Sequence, residues 1–184
     1  QVCDAVDSYL TFINNDFSYN GIRENSGYGF VVLGTIFTKC LIDGNQIYNN
    51  KDGGMGIQSS GASFLTISNN SVFANVGGGI AALPLTDSTI TGNTVTGPSF
   101  GMYLLGCSRI SYTGNSLNTT TIGIQSGGTN TDIIVVGNSA INCSANGLFL
   151  QATDSNFLIT SNNFRSSTVT LSTGTGHIYS LNQE

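Results

Sequence analysis

Apolar and polar residues alternate along this chain in short runs, and the runs recur in one fixed order. Each recurrence opens on a pair of positions two residues apart: Leu10/Phe12, Cys40/Ile42, Leu65/Ile67, Ser88/Ile90, Ile110/Tyr112, Ile133/Val135 and Phe157/Ile159. A period of two places both members on one face of a half-buried strand. Three residues after the second member stands an asparagine: Asn15, Asn45, Asn70, Asn93, Asn115, Asn138 and Asn162, with Tyr179 and Asn182 as an eighth instance. Two residues further on, Phe17, Ile47, Val72, Val95, Leu117, Ala140 or Phe164 starts a second inward-facing strand. A third strand is marked by glycine and renewed alternation, at Gly29-Phe30, Gly56-Ile57, Gly79-Ile80, Gly101-Met102, Gly123-Ile124 and Gly147-Leu148. The seventh repeat lacks that glycine and uses Val169-Thr170-Leu171.

From one asparagine to the next the sequence steps are 30, 25, 23, 22, 23, 24 and 20. Such a slowly varying period signals a solenoid. Three short strands per repeat cannot bury their apolar faces alone, but parallel coils stacked ~4.8 Å apart can. The residue before the asparagine is Asn14, Gly44, Asn69, Gly92, Gly114, Gly137 or Ser161. Glycine and asparagine tolerate a left-handed backbone best, so a tight bend is predicted there. Stacked coils put each asparagine over the one before, where a ladder of amides satisfies turn backbone. The expectation is therefore all-β: a parallel solenoid of about seven to eight coils, three sheets and an asparagine ladder, as one domain spanning residues 1–184. Both ends fall mid-coil, which suggests a segment of a longer helix, or ends covered by flanking coils or by partner chains such as those of a homotrimer.

Composition narrows the partners. Only 8% of residues are charged and the net charge is −5, so no basic stripe exists for nucleic acid. The apolar runs are too short and too alternating for membrane insertion. The four cysteines fall at unrelated repeat phases with no CxxC pair. They read as buried thiols rather than a metal site, and no cofactor is implied.

The repeat Ile90-Thr91-Gly92-Asn93-Thr94-Val95, followed by Gly101-Met102-Tyr103-Leu104, resembles the right-handed, single-stranded parallel β-helix of the pectate-lyase superfamily. The resemblance covers essentially the whole chain. It implies that the asparagines lie between the second and third sheets. The glycine-led strands then form the first sheet, whose outer face commonly carries a glycan groove. It also implies an extracellular, cell-surface or virion setting. The catalytic signatures of the superfamily's epimerases, pectate lyases and polygalacturonases are absent, so the fold does not fix a reaction.

The outer face of the glycine-led sheet is expected to show Val31, Gln58, Ala81, Tyr103, Gln125, Phe149 and Thr170. Rings stack on pyranose faces and amides bond hydroxyls, which makes Gln58, Tyr103, Gln125 and Phe149 candidate polysaccharide contacts. The loops ahead of the first two glycine-led strands, Asn15 to Gly29 and Asn45 to Gly56, look longer than later ones such as Asn93 to Gly101. They carry Arg23, Glu24, Lys51 and Asp52. Arg23 and Lys51 are candidate contacts for an acidic glycan, and Glu24 and Asp52 are the candidate acid and base of a lyase, hydrolase or epimerase. A second group, Asp87, Arg109 and Asp132, shares one column and reads as a salt-bridge stack. His177, the sole histidine, lies near the last turn.

Two other functions compete. One is a non-catalytic module, such as an adhesin segment or a fibre shaft. The other is ice binding, suggested by Thr66/Ser68, Thr89/Thr91 and Ser111/Thr113 but interrupted by Leu41/Asp43 and Ile134/Val136.

Overall fold

A computed structural model describes residues 2–19, 27–97, 99–118, 120–171, 173–180 and 182–183, with side chains throughout except at 2–8 and 34–36. Among these residues the regular structure is all β, with no helix. The coils stack as a parallel solenoid with three sheets. The first sheet contains Val2–Ser8, Tyr28–Thr38, Gly53–Ser59, Gly78–Ala82, Phe100–Leu105, Ile122–Gly127, Asn146–Phe149 and Thr168–Thr170. The second contains Thr11–Ile13, Leu41–Asp43, Thr66–Ser68, Thr86–Thr91, Ser108–Thr113, Thr131–Val136, Ser155–Thr160 and Ile178–Ser180. The third is the shortest: Asp16–Ser18, Gln46–Tyr48, Ser71–Phe73, Thr94–Thr96, Ser116–Asn118 and Ser139–Ile141. The Tyr28–Thr38 strand continues past the first sheet, and Phe37 and Thr38 pair with Ala62 and Ser63.

The alternation read from the sequence sets the register. On the second sheet Phe12, Ile42, Ile67, Ile90, Tyr112, Val135, Ile159 and Tyr179 face the next rung in turn. On the third, Phe17, Ile47, Val72, Val95, Leu117 and Ala140 do the same. Both columns point into one continuous core, and Ile42 to Ile159 are fully buried. Each such aliphatic side chain contributes roughly 1.5–3 kcal/mol of burial, which holds strands of three residues together. Phe30 closes the early coils from inside, with its ring 5.0 Å from Phe12 and 5.3 Å from Phe17.

The bend before the asparagine is left-handed in every repeat from Asn14 (φ 54°) to Ser161 (φ 57°). Two further left-handed columns lie five residues to either side. One runs Tyr9, Lys39, Phe64, Asp87, Arg109, Asp132, Asn156 and Gly176; the other runs Tyr19, Asn49, Ala74, Gly97, Asn142 and Ser166. Each coil therefore turns three corners with one device. At the middle corner the residue after the bend is the asparagine, and its N–H runs along the axis toward the next coil.

At the middle corner that N–H always meets an amide. Asn15, Asn45, Asn70, Asn93, Asn115, Asn138 and Asn162 each donate a backbone N–H and a side-chain Nδ2–H to Oδ1 of the next asparagine, ending on Asn182, at 2.9–3.0 Å. The other Nδ2–H reaches a backbone carbonyl, such as Ile67 O from Asn93 at 3.0 Å. The ladder thus covers all eight rungs. At the other two corners the acceptor varies. Asn50 N–H donates to Asn75 Oδ1 and Cys143 N–H to Ser167 Oγ, both at 3.0 Å. Leu10 N–H donates to Cys40 Sγ at 3.3 Å, and Leu65 N–H to Ser88 Oγ at 2.9 Å.

Candidate functional site

A column of glycines, Gly29, Gly54, Gly79, Gly101, Gly123 and Gly147, lies at the corner where the first sheet begins, against the core. A Cβ at Gly54, Gly79, Gly101 or Gly123 would run into the next glycine's carbonyl oxygen and a third-sheet core side chain. These glycines allow close approach of backbone at the corner, and none has a positive φ. In the second repeat the column residue is Gly54, not Gly56. The register pairs Met55 and Ile57 with Ile80 and Ala82, so Met55 points inward and the strand begins two residues earlier than alternation suggested. Three glycines within Gly53–Gly56 made both frames fit. With Gly54 in place, the step from Asn45 to its glycine equals the step from Asn70 to Gly79. The second loop is therefore not an insertion, and only the loop before Gly29 is long.

The outer row is Val31, Gly56, Ala81, Tyr103, Gln125, Phe149 and Thr170, each opposite the next. Gln58 lies two residues along, opposite Leu33, on a neighbouring outward row. Tyr103, Gln125, Phe149 and Gln58 are all half-buried. Thus four of the expected contacts share one face, with Gln58 offset.

Two aromatic residues that the pattern did not flag complete this face. The Tyr28 ring lies across Gly53 and Gly56, and the Phe100 ring lies on Gly78. The Tyr103 ring reaches Gly127 on the following coil, and sits 5.5 Å from the Phe100 ring. Each ring rests where a glycine leaves the backbone bare. The signal was available in the sequence: a glycine pair aligned with an aromatic one coil away, Gly53 under Tyr28 and Gly78 under Phe100. It becomes visible only once register is known.

The Gln58 side chain hydrogen-bonds the Tyr28 hydroxyl. Burial first, and then the nearby Asp52 carboxylate, push the Tyr28 phenol above its ordinary value, so it stays a neutral donor. Asp52 is half-buried at the start of the Gly53–Ser59 strand, and its Oδ2 accepts the Gly27 N–H at 2.8 Å. Lys51 beside it is exposed. Arg23 and Glu24 lie outside the described residues, so the expected charged rim is represented by Lys51 and Asp52.

The stack of Asp87, Arg109 and Asp132 stands at a corner, in the left-handed column. Arg109 clasps Asp87 with two bonds, Nε to Oδ1 at 2.5 Å and Nη2 to Oδ2 at 2.8 Å. Asp132 does not share this clasp; it accepts from Asn156 Nδ2 at 2.9 Å and acts on Arg109 only through its charge. This arrangement is a surface ion pair and not an acid–base pair across a cleft. His177 takes the inward position after Gly176, where its Nδ1 accepts the Phe157 N–H at 3.3 Å and its ring meets Phe157 edge-on.

Cys40, Cys107 and Cys143 are buried in different coils. Burial pushes the Cys107 thiol up to about 11. Cys107 Sγ donates to Ala82 O at 3.3 Å, while Cys143 Sγ sits 3.3 Å from Thr120 Oγ1. No group of three His, Cys, Asp or Glu converges among the described residues.

Comparison with known proteins adds a family. The model described as periplasmic copper-binding protein (NosD) matches residues 9–139 and again 40–182. The chain belongs to that family. The two matches overlap over residues 40–139, as a repeating solenoid allows. No curated protein matches the chain.

Proposed function

We propose that this member of the NosD family binds an extended polysaccharide along the outer face of its first sheet. The observation that carries the reading is the set of half-buried rings, Tyr28, Phe100 and Tyr103, bedded on glycine backbone, with Phe149 further along the same row. A ring supported on one side by backbone keeps its orientation and offers its other face to a sugar's C–H face, at little cost in side-chain entropy. Gln58 and Gln125 lie between the rings, and each amide both donates to and accepts from hydroxyls. From the Tyr28 strand to the Phe149 strand is five rungs, roughly 24 Å at parallel-sheet spacing, which suits a chain lying along the axis. The family's periplasmic description agrees with a role outside the cytoplasm, where such glycans are met.

Copper, the other element of the family description, does not fit the side chains described here. Thiolates, thioethers and imidazoles are its preferred donors in proteins, and the two methionines, Met55 and Met102, are buried in the core two rungs apart with Ile80 between them. Cys40, Cys107, Cys143 and His177 occupy separate coils, and Cys107 is held protonated by burial. His177 Nδ1 is already occupied by a backbone N–H. Binding is therefore the activity proposed, without a metal-dependent step. Among the expected acid and base, Asp52 is used in positioning Gly27, so turnover is not part of the proposal.

The test is a glycan array probed with the isolated chain, followed by affinity electrophoresis of Tyr103→Ala and Phe100→Ala. Both variants should keep the β spectrum and lose retention. A blank array, or retention untouched by both changes, would leave the solenoid as a spacer.

A further inference from the structure

We infer that the polysaccharide taken by this face is a neutral one, without uronate, sulfate or sialate groups along the stretch that contacts the floor. The inference rests on the first-sheet reading above and specifies its ligand class. Along the row Gly56 and Ala81 are buried, while Tyr103, Gln125, Phe149 and Thr170 on the following rungs are half-buried and reach the surface. Gln58 and the rings of Tyr28 and Phe100 add only neutral groups. Asn146 sits at the far end and donates to Thr170 Oγ1 at 2.8 Å. None of these side chains is a carboxylate, an ammonium, a guanidinium or an imidazole.

The described cations are placed elsewhere. Lys39 and Arg109 belong to the corner column, where Lys39 donates to the Tyr9 hydroxyl at 2.9 Å and Arg109 clasps Asp87. Arg165 reaches Gln183 near the end of the third sheet. Lys51 stands at the sheet's margin next to Asp52, whose carboxylate accepts the Gly27 N–H and acts on Tyr28 through its charge. Among the described residues no cation is set over this floor, so a polyanion there would surrender water from its carboxylates without a partner for them, which is costly for a charge and tolerable for a hydroxyl. The whole chain, at −5, would also repel it at a distance. Neutral sugars avoid both effects, and the amides at Gln58 and Gln125 bond their hydroxyls in either sense.

The experiment compares hexasaccharides of matched length, neutral (cellohexaose, mannohexaose, xylohexaose) and anionic (hexagalacturonate, hexamannuronate), by calorimetry at 20 and 500 mM NaCl. At least one neutral hexasaccharide should bind at least tenfold more tightly than either anionic one. Its affinity should change less than twofold with salt and with Lys51→Ala, and fall at least tenfold with Tyr103→Ala or, independently, Gln125→Ala. Tighter binding of an anionic hexasaccharide, weakened by salt and by Lys51→Ala, overturns the neutral class while leaving the binding face in place. Absence of binding by every probe, or binding indifferent to Tyr103→Ala and Gln125→Ala, overturns the face itself.

Discussion

Removing one amide from the middle of the ladder should cost far more than removing one from its start. Asn93 Oδ1 accepts two bonds from Asn70, from its backbone N–H at 3.0 Å and its Nδ2–H at 2.9 Å. Asn93 Nδ2 in turn serves Ile67 O, Thr91 O and Asn115 Oδ1 at 3.0–3.1 Å. In Asn93→Ala the Asn70 N–H and one Asn70 Nδ2–H lose their acceptor at a fully buried site. Each orphaned buried donor costs ~1–3 kcal/mol, and a water admitted to the gap offsets part of this, so the expected loss is about 2–4 kcal/mol. Asn15 is exposed and, among the described residues, its side chain donates to Ile13 O and Asn45 Oδ1, the latter keeping the Asn15 backbone N–H; Asn15→Ala should cost under about 1 kcal/mol. Urea unfolding followed by circular dichroism measures both, with the slope watched because stacked coils can unfold piecewise. Amide exchange at Asn70 supplies an independent reading, since its protection should fall in Asn93→Ala and hold in Asn15→Ala. Asn93→Asp keeps an acceptor toward Asn70 but loses the Nδ2 donor, so it should be destabilising too. Equal losses at Asn93 and Asn15, with Asn70 still protected, would refute the argument that the ladder satisfies the bend.

Gly79→Ala should destabilise by about 1–3 kcal/mol or more, because its Cβ would press on Val95 and the Gly101 carbonyl. Gly97→Ala meets nothing within 4 Å and bears only the left-handed penalty, roughly 1–2 kcal/mol, a contrast readable in the same urea titration. Site-resolved iodoacetamide labelling should leave Cys107 unmodified in the native chain at pH 8 and modify it in urea; rapid native labelling would contradict its burial and its thiol value of about 11. Arg109 holds the Asp87 carboxyl below its usual value of 3.8, so the folded state gains from this pair above that pH and loses the gain as pH falls through the lowered value. The stability gap between the native chain and Asp87→Asn should therefore close below about pH 3.8, and a gap that widens in acid would reverse the assigned sign.

The parts of the fold legible in the sequence are those where one residue type is required at every rung. Only an amide both accepts two bonds and donates onward, so Asn15 to Asn182 repeat without substitution and announce the period. The inward columns are equally plain because burial tolerates few residue types. The flanking corners were hidden for the opposite reason. Their left-handed residues include Lys39, Phe64, Asp87, Ala74 and Arg109, none of which advertises a positive φ. Their acceptors change from Cys40 to Ser88, or from Asn75 to Ser167, because a single bond from one N–H can be met by several side chains. What would have exposed them is spacing, five residues either side of the known bend.

The binding face was half legible for a related reason. Outward positions are free to vary, so only alternation marks them, and alternation is blind to a shift of two residues. That is how Gly56 stood in for Gly54 and drew Gln58 into the row. The rings of Tyr28 and Phe100 were missed because a sequence pattern assigns a side chain to its own rung, while an aromatic ring spans the ~4.8 Å to the next. A solenoid surface is made by adjacent coils jointly: one contributes the glycine that leaves backbone bare, its neighbour the ring that covers it. A face of this kind follows from register, which the asparagine ladder fixes from the opposite side of the coil. The residues that define the fold and the residues proposed to bind sugar are in that sense one arrangement, since a shift at the ladder would separate Tyr28 from Gly53 and Phe100 from Gly78 together.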